Sequence, residues 1–275
     1  MGIFDGCLLA SDIDGTLLDN GYVNPRNVEK IRYFVSEGGK FCLCTGRSIG
    51  AVECVLRLVD SVSYSVTANG CMIYDYGKKK TVYEAFLPKE DYKAAEMMRE
   101  TFGNIGAEIH SGTNVLTLNR TAESDLHQKY EELPTNCVDF NTACGYNWNK
   151  VIYLLDNESQ YDEVIPFLES NTTNCTFLKT SAVIDGKQRK YYEQVPKGVS
   201  KLTALKKLCE FLDIKEGKLF AIGDYYNDLE MIKNADIGAV TAETPDDIKQ
   251  HAEFIAGRCK DGAVADFIDY LSKKI

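Results

Sequence analysis

The chain has 275 residues, of which 44% are hydrophobic, and it carries a formal net charge of −10. This size allows one large domain or two unequal domains with hydrophobic cores, and the negative charge argues against nucleic acid or an anionic membrane as a partner. No segment reaches the roughly 20 apolar residues of a membrane span. Because the N-terminal residues also lack the features of a signal peptide, we expect a cytoplasmic protein with free thiols.

The first part of the chain alternates apolar runs of strand length with segments of helical periodicity. The runs cover residues 7–11, 40–45 and 63–68, and the helical segments begin near residues 24 and 48. Asn24 and Pro25 are typical of the start of a helix. Strands that alternate with helices predict a parallel sheet with right-handed crossovers.

The pattern changes near residue 80 and returns near residue 199. Between them lie predicted helices at 88–102, 122–132 and 159–170 and predicted strands at 105–109, 113–119, 150–156 and 174–180. We therefore predict an inserted α+β domain at 83–190, joined to a core of residues 1–82 and 191–275 by linkers near 80–84 and 187–197. Beyond it, the α/β alternation resumes with a helix at 199–213 and a strand at 218–223 and ends in a helix at 266–274.

Acidic residues follow two of the predicted strands of the core directly. Asp12 and Asp14 come after the first strand, Asp224 and Asp228 come after the strand at 218–223, and Thr45 ends another strand. The carboxyl ends of parallel strands meet at one edge of a sheet, so these side chains are expected to converge. Converging carboxylates repel one another unless a cation offsets them, and oxygen ligands favour Mg²⁺.

These segments, in this order, resemble the motifs of haloacid dehalogenase superfamily phosphatases of the Cof type. The matching segments are DIDGTL (12–17), TGR (45–47), Lys201 in PKGVSK and GDYYND (223–228), together with Asn69-Gly70 and DGAVADFI (261–268). The resemblance spans nearly the whole chain. It implies a doubly wound parallel-sheet, Rossmann-like core with an inserted α+β cap of type IIB, and a hydrolase that acts on small phosphorylated metabolites, sugar phosphates first.

Two departures from that pattern stand beside catalytic motifs. Leu202 follows Lys201 where the family usually has glycine, and Val240-Thr241-Ala242 replaces a Met and Asn-Ala segment. Neither departure changes a residue with an expected catalytic role, but both are expected to affect how a substrate fits.

The resemblance also assigns roles to individual residues. Asp12 is the expected nucleophile that forms an aspartyl-phosphate, and Asp14 is the expected general acid and base. Mg²⁺ is expected on Asp12, on the backbone carbonyl of Asp14 and on Asp224, while Asp228 is expected to orient the metal site or Lys201 without binding the metal. The groups expected to bind the phosphoryl group or the rest of the substrate belong to Ile13, Thr45, Gly46, Arg47, Asn69, Lys201 and Asn227.

Several of these residues have a simpler interpretation. Arg47 is as suited to pairing with a neighbouring acid as to binding a substrate anion, and Asn69-Gly70 is also a common turn sequence. Trp148 and Lys150 could face a substrate, but a lone tryptophan is more often part of a core. We expect the three histidines at the surface, at positions 110, 127 and 251.

Other functions compete with the phosphatase hypothesis. GRSIG (46–50) fits the G-x-S-x-G elbow of serine esterases, with Ser48 as nucleophile and His251 as base. That hypothesis leaves both acidic motifs unexplained. A phospho-receiver module would be about half as long, and a phosphomutase of the same superfamily would share every motif. The sequence does not identify the physiological substrate or the oligomeric state.

Overall fold

A computed structural model describes residues 2–155, 160–184 and 186–275. The chain divides into two compact units. The core unit comprises Met1–Gly46, Glu53–Tyr83 and Ser200–Ile275, and the insert unit comprises Arg47–Val52 and Glu84–Val199. None of the helices in the described part of the chain is long and apolar enough to cross a membrane.

Strands and helices follow one another along most of the chain. The strands are β1 (Leu8–Ser11), β2 (Leu18–Asp19), β3 (Tyr22–Val23), β4 (Lys40–Cys44), β5 (Tyr64–Thr67), β6 (Met72–Asp75), β7 (Lys80–Glu84), β8 (Gly106–Ser111), β9 (Asn114–Asn119), β10 (Lys150–Leu154), β11 (Cys175–Ile184), β12 (Lys187–Pro196), β13 (Leu219–Gly223), β14 (Ile237–Val240) and β15 (Phe254–Ile255). The helices are α1 (Pro25–Ser36), α2 (Ile49–Leu56), α3 (Tyr92–Thr101), α4 (Ala122–Tyr130), α5 (Phe140–Cys144), α6 (Tyr161–Ser170), α7 (Lys201–Leu212), α8 (Leu229–Asn234), α9 (Asp246–Lys249) and α10 (Ala263–Lys274).

The main sheet of the core unit has the order β15-β14-β13-β1-β4-β5-β6-β7. β1 is parallel to both β13 and β4, which are its two neighbours. The parallel pairing continues outward to β14, β15 and β5, and β6 is antiparallel to β5. The predicted Rossmann-like architecture is confirmed, and β1 lies between the strands that end in the other two polar motifs.

Helix caps fix where two helices of the core unit begin. The Asn24 side chain accepts a hydrogen bond from the Arg26 backbone, and Pro25 is the first residue of α1. The Ser200 and Thr203 side chains form a reciprocal capping box at the start of α7. Such caps satisfy backbone N–H groups that have no partner within the helix. The cap of α7 therefore sets the position of Lys201, its first residue.

The insert unit contains an antiparallel sheet with the order β11-β12-β10-β8-β9. A hydrophobic cluster that includes Met98, Ile109, Trp148, Tyr153 and Leu168 covers one face of this sheet with side chains from α3 and α6. Trp148 is fully buried there, and its indole N–H donates to the Ala143 carbonyl. Trp148 is thus a core residue.

The segment at 187–197, predicted as a linker, is the strand β12 over Lys187–Pro196. The predicted boundary at 190/191 falls inside it, whereas the compact units divide at 199/200. Among the described strands, the first half of β12 pairs only with β11, and its charged residues give no alternating apolar pattern. The predicted strand at 150–156 ends at Leu154, and its residue 156, like residue 159 of the next predicted helix, lies outside the described residues.

Candidate active site

The first acidic motif begins where β1 ends. Asp12 is buried, and its backbone N–H donates to the Ile222 carbonyl on β13 over 3.0 Å. Gly15 has a φ of +81°, and a Cβ at this position would lie 2.4 Å from Asp224 Oδ2. Glycine is therefore required for the first motif to approach the Asp224 carboxylate so closely.

The second acidic motif is held together by Asp228. Its Oδ2 accepts hydrogen bonds from the backbone N–H groups of Asp224 (3.1 Å) and Tyr225 (3.3 Å). A Cβ at Gly223 would lie 2.5 Å from the Asp228 side chain, so this turn also needs a glycine. The Asp228 carboxylate thus fixes the backbone that carries Asp224.

Lys201 joins the two motifs. Its side chain is about 1% exposed, and its Nζ donates to Asp12 Oδ1 and to Asp228 Oδ1, both over 2.6 Å. Burial by itself would lower the pKa of Lys201, but Asp12 and Asp228 outweigh burial and raise it. The ammonium group is therefore charged, as a group that stabilises anions must be.

The carboxylates of this site are crowded. Burial, with contributions from Asp228 and Asp14, raises the pKa of Asp12 to about 7 against the lowering effect of Lys201. Burial and the charges of Asp12 and Asp228 also raise the pKa of Asp224 well above its usual value. One lysine does not offset these acids, so their ionised forms need further positive charge.

A metal ion would supply that charge. One carboxylate oxygen from each of Asp12, Asp224 and Asp228 lies within 4.8 Å of the other two. Such oxygen donors suit Mg²⁺. Both oxygens of Asp228 already accept hydrogen bonds from Lys201 or from the backbone. The arrangement fits the expectation that Asp12 and Asp224 bind the metal while Asp228 orients its neighbours.

Polar groups that follow β4, β5 and β13 form a second cluster. Thr45 is buried after β4, and its backbone N–H donates to Val66 on β5. The Asn69 backbone N–H donates to the Thr45 carbonyl over 3.0 Å, and Asn227 Nδ2 donates to Asn69 Oδ1 over 3.1 Å. The structure thus brings together residues that the sequence separates by more than 150 positions.

A left-handed turn carries Asn69. Ala68, Asn69 and Gly70 have φ angles of +51°, +54° and +102°. For residues other than glycine, this conformation costs roughly 1–2 kcal/mol each. The Asn-Gly pair pointed to a turn, but no sequence signal marked Ala68 as left-handed.

Arg47 and Ser48 belong to the insert unit. The Arg47 guanidinium is buried, lies 5.0 Å from the centre of the Tyr130 ring and donates to the Ala51 carbonyl over 3.4 Å. Ser48 Oγ accepts a hydrogen bond from the Ala51 backbone N–H over 3.2 Å, as a helix cap does. His251, the proposed base of the esterase, is exposed. Ser48 therefore has a structural role at the start of α2.

The prediction that the histidines lie at the surface is wrong for two of them. His110 and His127 are buried on β8 and α4. His127 Nδ1 is 2.8 Å from Glu108 Oε2, and its Nε2 is 3.6 Å from Glu131 Oε1. Lys150 is buried as well, 2.6 Å from Glu193 Oε2. Glu131 is only four residues from His127, but Glu108 and Glu193 are 19 and 43 positions from their partners, so no local pattern revealed those two pairs.

Comparisons with known proteins agree with this geometry. The sequence profile of haloacid dehalogenase-like hydrolases matches residues 9–268. Two Bacillus subtilis proteins named 5-amino-6-(5-phospho-D-ribitylamino)uracil phosphatase are each 25% identical: YcsE over 255 residues (90% of this chain and 88% of its own length), and YwtE over 286 residues (96% and 97%). The fold is similar to that of the subclass IIB sugar phosphatase BT4131, with a TM-score of 0.83, 18% identity and coverage of 97% and 99% of the two chains.

Proposed function

The chain belongs to the haloacid dehalogenase-like hydrolase family and is a phosphatase, and we propose that it hydrolyses phosphomonoesters of small metabolites with Mg²⁺, through an aspartyl-phosphate on Asp12. The observation that carries this proposal is the buried contact of Lys201 with both Asp12 and Asp228, beside the Asp224 carboxylate. This arrangement combines a nucleophile, a fixed positive charge and a place for a cation.

Asp12 is the proposed nucleophile. Lys201 holds its Oδ1, so the orientation of the carboxylate is fixed before a substrate arrives. A carboxylate oxygen of Asp12 attacks phosphorus, the bond from phosphorus to the ester oxygen breaks, and Asp14 gives its proton to the leaving oxygen. Asp14 then takes a proton from water as the water oxygen attacks phosphorus and the bond from phosphorus to the Asp12 oxygen breaks, which releases inorganic phosphate and restores the Asp12 carboxylate.

Fixed charge and hydrogen-bond donors stabilise the transferring group. Lys201, Thr45, Asn227 and the backbone N–H groups of Ile13 and Gly46 are the proposed contacts to its oxygens. Phosphoryl transfer depends mainly on positioning and on stabilising charge, so donors held before the reaction are what the site needs. When bound, Mg²⁺ neutralises the crowded carboxylates and part of the charge on the phosphoryl group.

The proposed substrates carry the phosphate ester on a sugar or sugar-alcohol carbon. One structural neighbour is named as a sugar phosphatase, and two relatives from Bacillus subtilis are named for a phosphorylated ribityl compound. These names share a phosphate ester on a polyhydroxylated carbon chain. The insert unit, residues 84–199 with 47–52, is the proposed cap that sets specificity, and Arg47 is proposed to contact the substrate.

The decisive test is a panel of phosphorylated sugars, sugar alcohols and p-nitrophenyl phosphate, assayed with Mg²⁺, with EDTA and with Mg²⁺ restored. We expect turnover that EDTA abolishes and Mg²⁺ recovers, and that a serine-directed phosphonate leaves unchanged. Turnover of carboxylic esters that EDTA does not affect and the phosphonate abolishes would contradict the proposal. It would favour a serine esterase with Ser48 as nucleophile.

A further inference from the structure

The left-handed turn at residues 68–70 touches three of the segments that carry proposed phosphoryl-binding groups. The Asn69 backbone N–H donates to the Thr45 carbonyl over 3.0 Å. A Cβ at Gly46 would lie 3.1 Å from Asn69 Nδ2, so the Asn69 amide packs directly against Gly46. The Asn69 Oδ1 accepts the Asn227 amide over 3.1 Å.

Gly70 brings the same turn to the start of α7. A Cβ at Gly70 would lie 2.2 Å from the Ser200 carbonyl oxygen and 3.1 Å from the Lys201 backbone nitrogen. The φ of Gly70 is also positive, at +102°. Glycine is therefore the residue that allows this contact, and the turn reaches the residue that caps the lysine helix.

The conformation of the turn is unfavourable by itself. Ala68 has a φ of +51°, and its methyl side chain cannot make a local hydrogen bond that would favour this conformation. A strained conformation of this kind persists only where the surrounding structure determines it, and such residues cluster at functional sites. Here the surroundings are Thr45, Gly46, Ser200 and Asn227, and Asn69 is fully buried among them.

We propose that the turn at 68–70 is a positioning element, in which Asn69, packed against the Thr45–Gly46 backbone, orients the Asn227 amide toward the phosphoryl group and acts through it. This inference rests on the proposed function. It assigns Asn69 a role different from direct contact with substrate. Asn227 is a half-buried side chain on a short turn, and the hydrogen bond that it donates to Asn69 restricts its rotation.

The test is a double-mutant cycle of Asn69→Gly and Asn227→Ala. Glycine keeps the left-handed backbone accessible while it removes the amide. We expect each single variant to lower kcat/KM for p-nitrophenyl phosphate about 10–100-fold, the usual effect of removing an orienting partner. The double variant should lose little more than Asn227→Ala alone, since Asn69 then has nothing to orient. If the two losses of kcat/KM multiply in the double variant, Asn69 contacts the substrate directly, and the proposal is overturned.

Orthovanadate inhibition separates positioning from a general loss of structure. Asn69→Gly should raise the inhibition constant of vanadate by the same factor by which kcat/KM falls, whereas a smaller folded fraction would leave that constant unchanged and overturn the proposal. Asn20→Gly is the matched control, because Asn20 has a φ of +48° but is exposed. It should leave kcat/KM and the vanadate constant unchanged.

A second cycle covers the case in which Asn69→Gly does not fold. Gly46→Ala displaces the Asn69 amide from the other side. The fall in kcat/KM that Gly46→Ala causes should be smaller in the Asn227→Ala background. A loss that keeps its full size there would overturn the proposal. If the wild type hydrolyses no phosphomonoester, the proposed function itself fails, and this inference fails with it. If the wild type is active but the losses of kcat/KM multiply in the double variants, only the positioning role is contradicted.

Discussion

The core unit and the insert unit each bury a cluster of charged side chains. In the core unit, the carboxylates of Asp12, Asp224 and Asp228 lie around one ammonium group, that of Lys201. Burial raises the pKa values of Asp12 and Asp224, and the neighbouring carboxylates raise them further.

The insert unit pairs its buried acids with two basic groups, although burial also raises the pKa of Glu131 there. Glu108 and Glu131 flank His127, and Glu193 pairs with Lys150 while it accepts a further hydrogen bond from Thr180. Burial alone would lower the pKa of His127, but Glu108 and Glu131 raise it to about 9. His110, beside the positive charges of Lys150 and His127, has a pKa well below its usual value because of burial and those charges.

This difference between the two buried clusters distinguishes a candidate active site from a cluster that only stabilises the fold. A buried pair that satisfies itself fixes one arrangement of the chain and needs no ligand. A cluster with surplus negative charge can accept a cation, and we propose that the core cluster does so. Substitutions in the two clusters should therefore have different consequences for turnover and stability.

Replacing the nucleophile should have the largest effect. Asp12→Asn keeps the size of the side chain but removes the attacking oxygen anion, so we expect turnover to fall by about 10⁴-fold or more. Steady-state kinetics with p-nitrophenyl phosphate would measure this. Glu108→Gln, the same kind of change in the insert unit, should stay within about tenfold of wild type. Asp12→Asn turnover within tenfold of wild type would contradict the proposed mechanism.

Asp14→Asn should lower turnover less, by about 10²–10⁴-fold, because it removes proton transfer and leaves the nucleophile in place. The second half-reaction then lacks its base, so the phosphorylated enzyme should accumulate. Intact-protein mass spectrometry after an acid quench would detect it. Absence of the phosphorylated form, together with near-normal turnover, would assign proton transfer to another group.

Breaking the histidine pair of the insert unit should affect stability. Glu108→Gln leaves the His127 charge buried beside fewer acids, which typically costs 3–5 kcal/mol. The stabilisation from His127 is fully present below its unfolded pKa of about 6.5 and is lost as the pH rises through the folded pKa of about 9. Urea unfolding from pH 6 to pH 10 would measure it, with His127→Gln as the variant that should lose the pH dependence. An unchanged wild-type free energy of unfolding across that range would contradict the pairing.

Mg²⁺ should stabilise the wild type by mass action, by about 2.7 kcal/mol at a hundredfold excess over Kd. The unfolded chain does not assemble the site, so the thermal midpoint should rise with millimolar Mg²⁺. Asp224→Ala should abolish this rise, while Glu108→Gln should keep it despite its lower starting stability. If the thermal midpoint of the wild type does not change with Mg²⁺, the acidic cluster balances its charge without a metal.

Ser48→Ala should have the smallest effect. The loss of the hydrogen bond that Ser48 accepts from Ala51 should cost about 1 kcal/mol of stability, as the loss of a helix cap does. Phosphomonoester turnover should be unchanged, because the hydroxyl has no part in the proposed chemistry. A large loss of turnover with normal stability would favour the esterase hypothesis for GRSIG.

Local patterns in the sequence were enough for the architecture of the core unit and for the approach of the two acidic motifs. Apolar runs marked the buried strands, Asn24 and Pro25 marked the start of α1, and acids after strands pointed to one edge of the sheet. These signals depend on residues within a few positions of one another, and the topology of parallel strands then brings the strand ends together.

Only the tertiary structure decided which distant side chains meet. Glu108 and His127 are 19 positions apart, Lys150 and Glu193 are 43 apart, and Asn69 and Asn227 are 158 apart. Each of these residues by itself predicts a solvated surface, because a charged or amide group is buried only when a partner compensates for the lost water. The position of that partner follows from strand order and register, so no local pattern in the sequence contains it.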